Sequence, residues 1–165
     1  MKARDLKGRA VVTLADAATI GQVDDVLFDA AFRQVLGVRV KQGTFSHSEA
    51  VTRANVSAGG ADALTVPSPA AINADDRCAA LAGAATTSQG HGTKVVTEGG
   101  ALRGTIAELD LDDEARTVLS SMLAVPLLDK LRQRVPSFRA AQVLRLGAGG
   151  IMIVPDALAA EMRQT

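Results

Sequence analysis

One stretch of this chain occurs twice, and that duplication limits the fold more than any other feature. Residues 8–29 read GRAVVTLADAATIGQVDDVLFD and residues 92–112 read GTKVVTEGGALRGTIAELDLD. Gly8, Val11, Val12 and Thr13 match Gly92, Val95, Val96 and Thr97, 84 positions on. After a one-residue deletion, Gly21, Asp29, Arg33 and Val35 match Gly104, Asp112, Arg116 and Val118, 83 positions on. Between them Val23, Asp25, Val26 and Phe28 stand against Ile106, Glu108, Leu109 and Leu111. The halves resynchronise from Ser48 and Pro136 at an offset of 88, which sets Val56, Leu64, Val66 and Pro67 against Leu144, Met152, Val154 and Pro155. Whatever the first half folds into, the second half folds into a variant of it.

The pattern within each copy is β. Residues 10–13 and 63–66 are short β-rich runs, and residues 20–28 alternate apolar and polar with a slip at Asp24–Asp25 that predicts a bulge. Asp24 and Asp25 are assigned outward by this alternation, and Asp29 begins a turn that its carboxylate can cap. Residues 34–41 return as the partner of a hairpin. The second copy repeats this with strands over 93–97, 104–111 and 117–123. It adds a segment over 126–134, PLLDKLRQR, with Leu127, Leu128 and Leu131 on one helical face. Asp156 is placed to cap a last helix over 157–163.

These elements predict a mainly β protein. It would be two tandem small antiparallel β-barrels related by a pseudo-two-fold, with a few short helices. Closure solves the edge problem of short strands. The halves span residues 1–72 and 90–165, the second with the inserted helix near 126–134. An Ala/Gly-rich linker over 73–89 joins them. With aromatics at only 2% of 165 residues, Val, Leu, Ile and Ala must build both cores, and a lone barrel of this size buries little. Packing two together gives a physical reason for the duplication.

A short strand, a turn, then Gly21, Val23, Asp25, Val26, Leu27, Phe28 and Asp29 with a return strand, closing on Leu64, Val66 and Pro67, resembles the PRC-barrel family. The second copy carries Gly104, Ile106, Glu108, Leu109, Leu111 and Asp112, then Met152, Val154 and Pro155. The resemblance implies small barrels that act as interaction modules, as in the cytoplasmic domain of the photosynthetic reaction-centre H subunit and the C-terminal domain of the ribosome-maturation factor RimM. It implies no catalytic residues and no cofactor.

Residue chemistry agrees with a non-enzymatic reading. Asp24, Asp25, Asp29, Glu108, Asp110, Asp112 and Asp113 sit on strands and hairpin turns and lack the spacing of a calcium loop. His47 and His91 are the only histidines and lie far apart, too few for a zinc site of three protein ligands. Cys78, beside Arg77, is the single cysteine, which excludes an internal disulfide. The glycines of 147–155 precede a strand, whereas a phosphate loop places them between a strand and a helix. No catalytic, cofactor-binding or metal-binding residue is therefore assigned. Leu127, Leu128 and Leu131 are assigned either to a covered core or to a subunit interface.

With 18 basic and 18 acidic residues the chain has no net charge, which argues against a polyanion partner, and its four Phe residues offer little for base stacking. The absence of a long apolar run and of a secretory h-region points to a cytoplasmic protein without membrane insertion. The expected function is a protein-interaction or scaffold module, as a monomer or homodimer, with an unidentified protein partner. The alternatives are a ribosome or RNA-processing accessory role by analogy with RimM, and a small-molecule or metal site between the barrels.

Overall fold

The computed structural model describes residues 1–43, 49–74, 78–124, 136–147 and 149–158. The predicted helix over 126–134, with Leu127, Leu128 and Leu131, lies outside them, as do His47 and most of the helix expected after Asp156. The described residues form β1 (Ala10–Thr13), β2 (Thr19–Phe28), β3 (Val35–Lys41), β4 (Glu49–Thr52), β5 (Ala58–Gly59), β6 (Ala63–Val66), β7 (Ile72–Ala74) and β8 (Ala85–Thr86). A single helical turn, α1 (Thr87–Gly90), leads into β9 (Lys94–Thr97), β10 (Leu102–Leu111), β11 (Val118–Leu123), β12 (Ser137–Arg139), β13 (Arg145–Gly147) and β14 (Ile151–Val154).

The protein is mainly β, in two sheets. The first runs β5-β6-β1-β2-β3-β4-β7 with β8 added to β2, and the second runs β12-β11-β10-β9-β14-β13. Neither path returns to its first strand among the described residues, so two closed barrels are not what these pairings trace. Nor are the sheets wholly antiparallel. β6 lies parallel to β1, with Val11 beside Leu64, and β14 lies parallel to β9, with Val95 beside Met152. In each sheet the chain completes its hairpin and then returns alongside the first strand in the same direction.

The described residues of the 73–89 tract add to the first sheet. β7 extends β4, and β8 pairs with the far end of β2 at Leu27 and Phe28. β2 is long because β1 pairs only with its first part, leaving the far part of that edge to β8. The second sheet has a corresponding arrangement built from the opposite end of the chain. Lys2 bridges Asp110 of β10, the Met1 amino group donates to Leu111 O at 2.7 Å, and the 3-10 turn Ala3–Leu6 packs on β10. Each half therefore lends the segment that leads into it to the long strand of the other half.

The hairpin ends meet reciprocally. Val35 N–H donates to Arg116 O at 2.9 Å, and Val118 N–H donates to Arg33 O at 2.9 Å. Around this seam one apolar cluster holds Leu6, Val26, Phe28, Phe32 and Val35 together with Leu109, Leu111, Ala115 and Val118. A second cluster, with Val11, Val23, Val40, Val51 and Leu64, belongs to the first sheet alone. A core drawn from both halves is what a chain so poor in aromatics needs, since buried fraction rises with size.

The sequence alignment needs one correction. Val56 and Val143 each follow a 3-10 turn, Arg53–Asn55 and Ala140–Gln142, so Val143 is the counterpart of Val56, not Leu144. The extra residue of the second half falls in the β13–β14 turn.

Packing at α1 leaves no room for a methyl group. A Cβ at Gly90 would lie 2.9 Å from Phe32 Cε1 and 3.3 Å from Leu109 Cδ1. Gly90→Ala should destabilise the protein by roughly 1–3 kcal/mol through overpacking, read from urea midpoints at unchanged m-value.

Candidate interaction surface

Of the acids singled out in the sequence, Asp25 and Glu108 are buried and Asp29 and Asp112 cap turns. A register shift between Val23 and Asp25 makes the expected bulge, and β10 has one between Ile106 and Glu108. The bulge turns Asp25 inward, contrary to the outward assignment, and Glu108 with it; they are 8% and 4% exposed. Asp25 Oδ1 accepts from Val26 N–H at 2.9 Å and from Thr87 N–H at 3.1 Å, while Ser88 Oγ stands 3.5 Å from Oδ2. Glu108 Oε1 accepts from Leu109 N–H at 3.2 Å, and Oε2 lies 2.8 Å from Arg4 Nε. Each acid ties the borrowed leading segment to the strand that receives it.

Asp29 and Asp112 cap the hairpin turns as expected. Asp29 Oδ1 accepts from Arg33 N–H at 2.6 Å and Gln34 N–H at 2.9 Å. Asp112 Oδ1 accepts from Arg116 N–H at 2.6 Å, and Oδ2 from the Thr117 hydroxyl at 2.6 Å. Phe32 and Ala115 take the left-handed position of these turns, at φ 51° and 52°. Asp110 accepts from the Ser120 hydroxyl at 3.2 Å, and Asp113 is exposed. Asp156 Oδ1 accepts from Gly99 N–H at 3.0 Å.

Cys78 is half-buried where the 3-10 turn Ala79–Leu81 begins, packed with Leu27, Ala50 and Leu81. Among the described residues no three His, Cys, Asp or Glu side chains are placed to hold a metal ion. His91 borders an open groove of about 350 Å³ with Ser88 and Lys94. This groove runs into a larger one, about 770 Å³, between Phe32 of the first half and Leu146 of the second, floored largely by glycine and alanine. The glycines of 147–150 make the tight turn the sequence predicts, with Gly150 at φ 71°.

The outer faces of the two sheets differ in a way that backbone geometry does not require. Residues directly opposed on paired strands project to the same side. In the second sheet one row runs Leu102, Val96, Ile153, Arg145, and the next runs Thr105, Lys94, Ile151, Gly147. Leu102 is 63% and Ile151 43% exposed, Val96 and Ile153 are half-buried, and Lys94 and Arg145 are exposed. The corresponding rows of the first sheet read Thr19, Val12, Thr65, Ala58 and Gln22, Ala10, Ala63. Leucine, isoleucine and two cations thus stand where the first sheet has threonine and alanine. The inward rows are largely apolar and buried in both sheets, with Thr13 and Thr97 in matching places. The signal for this face was present in the duplication, as Leu102 against Thr19 and Ile153 against Thr65.

The PRC-barrel domain family model matches residues 1–71, so this part of the chain is similar to PRC-barrel domains. A search of curated proteins finds no match to the chain. No helix among the described residues is long and apolar enough to cross a membrane.

Asp112 sets a pH dependence. Burial pushes the Asp112 carboxyl up, but the Thr117 hydroxyl and the Arg116 and Thr117 backbone N–H groups outweigh it and hold it below the ordinary aspartate value of 3.8. A folded pKa below the unfolded one adds stability above the unfolded value and loses it as pH falls through the folded value. Asp112→Asn should therefore be less stable than wild type at pH 7, with the gap narrowing below about pH 4 as the wild-type carboxylate protonates, measured by urea denaturation across pH.

Proposed function

We propose that the protein is a non-enzymatic interaction module. Two PRC-like halves form its rigid frame, and the outer face of the second sheet, around Leu102, Val96, Ile153 and Ile151, is its contact surface. The observation that carries this reading is the divergence of the two outer faces. Both inner faces are largely apolar because the core demands it, whereas nothing in the core demands that Leu102, Ile151 and Ile153 gather on one outer face where the other has Thr19, Ala63 and Thr65, with Leu14 exposed at its end. Contiguous exposed apolar side chains rimmed by charge mark interaction sites in soluble proteins. The buried acids and capping acids are occupied by backbone donors, which leaves little for acid–base work.

A second reading, a small-molecule site between the halves, draws on the groove beside His91 and Phe32. It has few convergent polar groups, and ligand pockets depend on such groups for orientation. The accessory role at the ribosome draws on no feature of the described surface.

Affinity capture from cell extract with wild type and with Leu102→Asp tests the proposal. Wild type should retain a protein that the variant loses, while circular dichroism shows the same fold in both. Equal capture by the two proteins would contradict the assignment of the face.

A further inference from the structure

The same face, taken as the contact surface proposed above, carries enough charge information to name its partner's chemistry. Lys94 and Arg145 flank the apolar patch diagonally. Lys94 pairs with Ile151, and Arg145 pairs with Ile153 across the next strand. Neighbouring strands lie about 4.8 Å apart, so both cations stand within about 10 Å of the two isoleucines. The two rows contain no acid. Glu98, exposed and two residues beyond Val96, closes the opposite end, where its N–H still bonds Val154 O at 3.1 Å. The first sheet has Ala10 and Ala58 in place of Lys94 and Arg145. The two cations, Leu102 and the two isoleucines therefore share one sheet face, whereas the matched positions of its counterpart hold Ala10, Ala58, Thr19, Ala63 and Thr65, and Leu14 is exposed there at the position of Glu98.

We infer that this face binds a protein segment with two or three apolar side chains flanked by carboxylates, its acidic end lying over Lys94 and Arg145 and its other end free of acid beside Glu98. An apolar centre with a charged rim is the usual anatomy of a protein contact, and rim charges select the partner by complementarity. A lipid surface fits less well. Two cations contribute about 1 kcal/mol each at an anionic membrane, and four β-sheet side chains do not amount to an acyl anchor.

A random peptide library displayed on phage and selected against the full chain tests this. Peptides recovered on wild type should carry Asp or Glu beside an apolar core. A selected peptide should bind at least tenfold more weakly at 500 mM than at 50 mM salt, and at least tenfold more weakly to Lys94→Glu/Arg145→Glu. Selection on that double variant should turn toward Lys- and Arg-flanked peptides. The inference would be overturned by no peptide dependent on the face, by an unchanged charge preference in the double variant, or by binding of vesicles containing phosphatidylserine in place of peptides. Leu102→Asp separates this from the broader proposal. Peptides lost in Leu102→Asp but indifferent to charge reversal leave the face as a contact surface and remove only its acidic partner, whereas peptides indifferent to all three changes remove both. Self-association through the face, seen by light scattering and abolished by Leu102→Asp, would also replace the acidic partner with a second copy.

Discussion

The reciprocal exchange of leading segments is the contact on which the rest of the molecule depends. A long hairpin strand, β2 or β10, loses its first partner part-way along and leaves backbone groups that must be paired. In the first half β8 and α1 supply that partner, and in the second the extreme N-terminus does. Each borrowed segment is then fastened by an acid that a bulge has turned inward, Asp25 or Glu108. The identity of the acid can vary because the partners differ. A short Asp suffices where backbone N–H groups of Thr87 and Val26 approach, and a longer Glu reaches the Arg4 guanidinium.

From that exchange the core follows. The hairpin tips pair across the seam, Val35 to Arg116 and Val118 to Arg33, and the apolar side chains beneath them merge into one cluster. The faces that remain open to a partner are the outer ones and the grooves at the seam's margins. Where the inner faces of both halves are held to the same apolar pattern by packing, the outer faces are free to diverge. They have done so at matched positions: Thr19, Thr65, Ala10 and Ala58 on one stand where Leu102, Ile153, Lys94 and Arg145 stand on the other, and Leu14 stands where Glu98 does.

Much of the frame was legible in the residues. The strands over 10–13 and 63–66, the bulge at Asp24–Asp25 and the capping roles of Asp29 and Asp112 follow from local alternation and turn chemistry, which act over a few residues. The burial of Asp25 and Glu108 was not legible, because an acid beside a bulge reads as outward until the segment that satisfies it is known. That segment comes from the other half, about sixty residues away for Asp25 and about a hundred for Glu108. For the same reason residues 73–89 read as a linker: their small side chains carry no strong period, and only the vacancy beside β2 gives Ala85–Thr86 a place. The parallel pairing of β1 with β6 was hidden by the length of chain between them. The apolar outer face was written in the duplication, but it becomes a surface only once register shows Leu102, Val96 and Ile153 side by side.

Native-state hydrogen exchange at the Val35 and Val118 amides tests most directly whether the exchange of segments makes the halves one unit. Both amides donate across the seam. If the halves hold each other together, these two should exchange only through global unfolding, with the same opening free energy and denaturant dependence as the amides of Val26 and Val95 in the core. Exchange of the seam amides at clearly lower free energy, while one half stays protected, would show that the halves open independently and would contradict the account.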